Sequence, residues 1–252
     1  MFLKVPIDIV PPEELSNVLS RMLESVGTVD NPSNPSLDRG QNIVLLSLSD
    51  LLRARRKGEY RNYVMRAALV VPISKSIVSG AKFLTGTQLF RYMPFHFVIS
   101  LLSLLEKKNH SLYLIGDKTK SLRKAEKNIS TTFPQLSIVG RREGVLRKQE
   151  EPVVIEAIRK ASPSLLLAGK GIRKKEVWIV KNAGRLNSGL RLWCSDLFDV
   201  FAKKKQRPSD AAFEKGLEGL YYCLRNPLRV FRIFSYLRYK LLLLIYKIFK
   251  KT

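Results

Sequence analysis

Only two of the 252 residues are cysteines and two are histidines, and 21 acidic side chains face 45 lysines and arginines. Each shortage excludes something. Cys194 and Cys223 are too few for a disulfide framework, and neither they nor His96 and His110 stand at metal-ligand spacing, so no metal and no cofactor is expected. Sparse cysteine fits a reducing compartment. His96, within Met93-Pro94-Phe95-His96-Phe97, reads as a packed or helix-start residue. No apolar run reaches the roughly 20 residues needed to span a bilayer. Lys4, Pro6, Asp8, Pro11 and Pro12 interrupt the place where a signal peptide would carry its apolar stretch. The expectation is a cytoplasmic protein, free or peripheral on the inner face of the cell membrane.

A hydrophobic content of 45% excludes a mainly disordered chain, and the net charge of +24 predicts attraction to polyanions. Nucleic acid, an anionic membrane surface and phosphate-bearing substrates all remain open on composition. The length suits one large domain or two modest ones.

Apolar runs alternate with helical patterns. Residues Phe2 to Val10 read as extended, and Pro11-Pro12-Glu13-Glu14 opens a helix whose Leu15, Val18, Leu19, Met22 and Leu23 share a face. Residues 30–41 have the composition of a loop. Strands are expected at 42–48, 67–72, 111–116, 136–140, 165–169 and 190–194. Helices are expected from Ser49-Asp50, from Ser74, from Gln88 to Lys107 with a bend at Pro94, from a Thr119 cap, and from Pro152 to Ala161. This order predicts an α/β fold, a Rossmann-like parallel sheet with helices on both faces, in which ligands bind beyond the carboxyl ends of the strands.

At those ends stand Gly116, Gly140 with Gly144, and Gly169 with Gly171. The stretch Ser164 to Trp178 is the fullest case: an apolar run reaches two glycines, and a charged helix is expected directly after them. Glycines let backbone approach an anion closely, so a shared anion-binding rim is one reading and a set of plain tight turns the other.

From Arg225 to Lys251 basic and apolar residues separate on a helix. Arg225, Arg229, Arg232, Tyr236, Lys240, Leu243, Lys247 and Lys250 fall on one face, and Phe231, Phe234, Leu237, Leu241, Leu242, Leu244, Ile245, Ile248 and Phe249 on the other. Such a helix suits the plane of a membrane interface, with anionic headgroups meeting the basic side chains, or else packs on the domain core. Nucleic acid is disfavoured, because single-strand binding needs aromatic and basic side chains on the same exposed face. The expected division is an α/β domain over 1–224 and a basic amphipathic membrane-binding appendage over 225–252.

The order of motifs resembles the TagA/WecG/CpsF glycosyltransferases, which include N-acetylmannosaminyl transferases. The likeness begins at Val5-Pro6-Ile7-Asp8 and continues through Leu84-Thr85-Gly86-Thr87-Gln88-Leu89, Leu112-Tyr113-Leu114-Ile115-Gly116 and Phe133-Pro134-Gln135-Leu136-Ser137-Ile138-Val139-Gly140. Gly169-Lys170-Gly171-Ile172-Arg173-Lys174-Lys175-Glu176-Val177-Trp178-Ile179 is similar to the family's glycine-x-glycine-x-proline-lysine-glutamine-glutamate-x-tryptophan-isoleucine. Phe198-Asp199, Gly216-Leu217-Glu218-Gly219-Leu220-Tyr221 and Asn226-Pro227-Leu228-Arg229 complete the series.

The resemblance implies transfer of an N-acetylmannosamine-type or related hexose from a UDP-sugar donor to a lipid-diphosphate-linked acceptor, in cell-envelope polysaccharide synthesis. It implies a nucleotide-sugar site at Gly116, Gly169, Gly171, Arg173, Lys175 and Glu176. Arg225, Arg229, Arg232, Lys240, Lys247 and Lys250 would meet acceptor or membrane. A homo-oligomer is among the partners it admits.

Departures fall at the chemistry. Ile73 stands where the family carries its proposed catalytic aspartate, Ser47 at the upstream asparagine, Gln88 at an aspartate, Arg173 at the loop proline, Lys175 at the loop glutamine and Tyr222 at an arginine. Isoleucine accepts no proton, which leaves Asp199 as the expected catalytic carboxylate, with Glu176 behind it in a structural role. Two readings follow: a diverged, working transferase, or a catalytically inactive relative that binds nucleotide, membrane or a partner.

Overall fold

The computed structural model describes residues 1–27, 41–145, 147–216 and 232–249. Six parallel strands, β1 (Gln41–Leu46), β2 (Leu69–Pro72), β3 (Ser111–Ile115), β4 (Ser137–Arg142), β5 (Leu165–Ala168) and β6 (Leu190–Trp193), form one sheet in the order β2-β1-β6-β5-β3-β4. Every strand overlaps a stretch where the sequence predicts one, with β1 starting one residue early at Gln41 and β4 running on through Arg142. Successive residues alternate between faces: Leu112, Leu114, Leu165 and Leu167 enter one core, and Tyr113, Ile115, Leu166 and Ala168 the opposite one. Burial on both faces is why these strands are short continuous apolar runs.

The first face is covered by α1 (Leu15–Gly27), α5 (Pro94–Lys107), α6 (Thr119–Thr132) and α10 (Leu197–Phe201). The other carries α2 (Leu48–Ala54), α3 (Glu59–Met65) and α4 (Lys75–Thr85) at one end, and α7 (Glu151–Ala161), α8 (Glu176–Lys181) and α9 (Ala183–Leu186) at the other. A short α11 (Asp210–Lys215) follows. The edge strand β2 is protected by the N-terminal segment, where Asp8 N–H donates to the Val70 carbonyl at 2.9 Å and the Asp8 carboxylate accepts from Val70 N–H at 2.6 Å.

Some boundaries differ from expectation for local reasons. The helix expected from Gln88 starts at Pro94, whose ring confines Met93 to φ −74°, ψ 123° and so ends any helix arriving from upstream. Thr119 does not cap α6; its hydroxyl donates to Glu143, and Lys118 occupies the cap position without a side-chain bond. Gly140 lies inside β4 rather than at a strand end, because a side chain there would strike the Tyr113 ring.

The last described helix, α12 (Arg232–Phe249), docks on α4. Tyr239 and Leu243 are buried, and Tyr239 donates to the Ser76 carbonyl at 2.7 Å. Gly80 makes the close approach possible, since a Cβ there would come within 2.9 Å of the Tyr239 ring. Leu243, placed by periodicity among the basic residues, therefore belongs to a core-packing stripe. Phe234, Leu237, Leu241, Leu244, Ile248 and Phe249 point away from the body, 53% to 80% exposed. Lys240 and Lys247 are exposed beside the docking stripe, and Lys247 also donates to the Phe83 carbonyl at 3.2 Å. The loop expected at 30–41 lies, but for Gln41, outside the described residues, as do Arg225, Arg229, Lys250 and the Arg232 side chain.

Gly80→Val should push α12 off α4 at a cost of about 1–3 kcal/mol. The expected outcome is faster amide exchange across 232–249 with the sheet's circular dichroism retained; unchanged exchange would contradict this packing.

Candidate active site

Chain direction defines the crevice. From β3 the chain moves outward to β4, whereas from β5 it moves the other way to β6, so the carboxyl ends of the adjacent strands β3 and β5 form a topological switch point. The loops that follow meet there as bare backbone. A Cβ on Gly116 would come within 2.8 Å of the Gly169 backbone, and one on Gly144 within 2.8 Å of the Gly116 Cα. Gly116, at φ +137°, adds a conformation that suits glycine alone.

The pairing of β3 with both β4 and β5 brings Gly116, Gly144, Gly169 and Gly171 together, but most of their N–H groups serve the protein itself. Gly116 N–H bonds the Arg142 carbonyl (3.0 Å), Gly144 N–H the Asp117 carbonyl (3.0 Å), Gly169 N–H the Ile115 carbonyl (2.8 Å) and Lys170 N–H the Ser195 carbonyl (3.2 Å). These glycines shape the crevice floor. The helix expected from Arg173 starts at Glu176, after Lys174 and Lys175 at φ 65° and 53°. Arg173 and Lys175 are exposed on this strained turn, free to swing toward an anion.

Lys170, between the two loop glycines, reaches two carboxylates. Its ammonium bonds Asp199 and lies 3.7 Å from Asp117, a residue 4% exposed. Burial works against the ammonium, but its hydrogen bond to Asp199 and the charges of both aspartates outweigh it and raise the lysine pKa above its usual 10.5. The clamp therefore contributes fully below about pH 10 and is lost as pH rises through the shifted value. Asp199, the expected catalytic carboxylate, is held as an ion-pair partner. Asp117 and Lys170 were not singled out by sequence, although each sits directly beside a glycine already noted.

A second polar cluster tops β1 and β2. Ile73 directly follows β2, its N–H bonded to the Leu46 carbonyl at 3.0 Å, and Ser74 Oγ accepts from Leu48 N–H at 3.0 Å. Ser47 caps α2 and donates to the Asp50 carboxylate. Glu176 is buried and pairs with Arg53, which lies 3.9 Å over the Tyr60 ring. That is the structural role expected of Glu176, and it ties the glycine loop to α2. Asp50 was missed by sequence reasoning. Burial pushes its pKa up, against a hydrogen bond from Ser47, with the Glu176 charge adding to the rise.

Among the described residues no group of histidine, cysteine, aspartate and glutamate is placed to hold a metal ion, and no helix is long and apolar enough to cross a membrane.

The sequence profile described as the glycosyl transferase WecG/TagA/CpsF family matches residues 2–252. The chain belongs to that family. It is thereby a glycosyltransferase by family, in agreement with the motif resemblance. Relatives include three proteins named N-acetylglucosaminyldiphosphoundecaprenol N-acetyl-beta-D-mannosaminyltransferase. The Bacillus subtilis (strain 168) protein is 23% identical over 194 residues, covering 77% of this chain and 75% of the relative. The Bacillus spizizenii protein is 22% identical over 202 residues, covering 80% and 78%. The protein of Staphylococcus aureus (strain MW2) is 21% identical over 176 residues, covering 70% and 68%.

Gly116→Ala in this family member should cost about 1–3 kcal/mol, because its Cβ has backbone rather than a flexible side chain to displace. Lys170→Met, which strands two carboxylates, should cost a similar amount, about 1–3 kcal/mol at neutral pH. Urea midpoints measure both, and a wild-type midpoint for either would contradict the packed-loop geometry.

Proposed function

We propose that the chain transfers a hexose of the N-acetylmannosamine type from a UDP-sugar to a lipid-diphosphate-linked acceptor, at the cytoplasmic face of the membrane, in the synthesis of an envelope polymer. Family membership and the printed activity of the relatives support the reaction class. The observation that carries the reading on this chain is the crevice between β3 and β5, floored by glycine and lipped by the exposed cations Arg173 and Lys175. Two exposed cations suit a leaving diphosphate, whose charge grows as the glycosidic bond breaks. The overall excess of 24 positive charges favours approach of both an anionic donor and an anionic membrane.

The outward face of α12 supports a peripheral membrane position. Its exposed phenylalanines, leucines and isoleucines have the spacing of an interfacial helix, and its inner face already holds the body. The acceptor's lipid tail would thus stay in the bilayer while its diphosphate meets the protein at the surface.

The test is UDP release from a panel of UDP-hexosamines with a lipid-diphosphate acceptor in vesicles. Acceptor-dependent release is expected, with Arg173→Ala and Lys175→Ala each raising the donor KM about tenfold, near 1.4 kcal/mol. UDP binding without turnover would favour the inactive relative, and no UDP binding would contradict both readings. In a separate measurement, Leu241→Ser/Leu244→Ser/Ile248→Ser should lower affinity for anionic vesicles at least tenfold at unchanged thermal stability. Unchanged vesicle binding would contradict the membrane role of α12.

A further inference from the structure

The carboxylates at the active edge differ in what holds them. Lys170 clamps Asp199 and lies against Asp117, Arg53 holds Glu176, and Lys205 holds Asp196. Asp50 has no such cation. Among the described residues no lysine or arginine forms an ion pair with it, and its one strong partner is the neutral Ser47 hydroxyl. It is nevertheless half-buried rather than sealed, in the first turn of α2 directly above the carboxyl end of β1.

Its position suits a group acting on an acceptor. The Leu46–Pro72 register and the Leu48 N–H to Ser74 bond bring the ends of β1 and β2 side by side, so Asp50 stands over the strand end that leads into Ile73. Glu176, the first residue after the glycine loop, reaches Arg53 one turn along α2. Between β1 and β5 lie two strand spacings, roughly 10 Å, so the Asp50 region and the β3/β5 crevice open on the same carboxyl edge of the sheet about one sugar ring apart. Asp50 is faced by Ser47 and Arg53 of its own segment, by Tyr60 and Tyr63 of α3, and by Glu176 of α8. Both tyrosines stay neutral, pushed up by burial.

We propose that Asp50 is the general base of this enzyme, a role the apolar Ile73 cannot fill; the assignment rests on the transferase reading above. Asp50 takes the proton of the acceptor hydroxyl as that oxygen bonds the anomeric carbon of the donor. The bond from that carbon to the phosphate oxygen breaks, UDP leaves with the electron pair, and the proton passes from Asp50 to solvent. Asp50 is desolvated and, although Arg53 lies near it, forms no ion pair among the described residues, so its carboxylate is open to accept a proton, whereas the Asp199 carboxylate is occupied by Lys170.

The burial that raises the Asp50 pKa costs the fold stability once the group is ionised. The cost is complete above the shifted pKa and absent below the unfolded value near 3.8. Asp50→Asn should therefore be at least as thermally stable as wild type at pH 7, an advantage that disappears in acid.

The closing experiment measures acceptor-dependent UDP release by wild type and Asp50→Asn across pH, with thermal denaturation alongside. The expected result is a loss in kcat of at least 100-fold, a donor KM within threefold of wild type, unimpaired stability at pH 7, and an acid limb in the wild-type profile above the ordinary aspartate range. Wild-type turnover that survives in Asp50→Asn would overturn the assignment and leave the transferase reading intact. A variant that loses stability and turnover together would assign Asp50 to capping α2 and also overturn it. No turnover by wild type, with lipid-diphosphate acceptor and every UDP-hexosamine, would overturn both.

Discussion

Backbone meeting backbone at the ends of β3, β4 and β5 is the constraint on which the rest depends. Three loops cross within van der Waals distance of one another, which glycine permits at Gly116 and Gly144 and no larger residue would, while Gly169 leaves room for the Phe198 ring beneath them. The interlock uses the loops' own N–H groups, so the crevice floor is rigid and largely self-satisfied. Anion affinity must then come from side chains on the rim, and the chain supplies Arg173 and Lys175 on a turn with two consecutive left-handed residues. Lys170 completes the arrangement by bonding Asp199 and lying against Asp117, offsetting part of the negative charge that would otherwise repel a diphosphate.

This arrangement separates two tasks along one sheet edge. The β3/β5 end is rich in paired charge and suits an anion. The β1/β2 end carries tyrosines, a serine cap and a carboxylate raised by burial, and suits proton transfer. Glu176 links them mechanically, since α8 begins where the glycine loop ends and its first side chain holds Arg53. On the flank, α12 presents one face to α4 and the other outward, so a single helix both docks and exposes apolar surface.

Strand positions were legible because a sheet buried on both faces writes itself as short apolar runs between polar breaks. The glycine rim was legible in outline for a related reason: a strand that ends in glycine marks a close approach. What the glycines approach was not legible, because Gly116 and Gly169 meet across 53 residues of chain and their partner is backbone, which leaves no sequence pattern. Asp50 was overlooked for the same kind of reason. Its burial comes from α3 and α8, and the Arg53–Glu176 pair that shapes its surroundings spans 123 positions. Helical periodicity likewise could not decide which stripe of α12 faces the body, since Tyr239 and Leu243 find their partner in Gly80, a residue with no side chain to advertise it.

A crystal structure of the chain with UDP bound tests the central claim most directly. The diphosphate is expected in the β3/β5 crevice, against the turn from Gly171 to Lys175, with the Arg173 or Lys175 side chain closed on it and the Asp50 carboxylate open toward the acceptor side. UDP bound away from the carboxyl edge of the sheet, or with its diphosphate against the β1/β2 end, would contradict it.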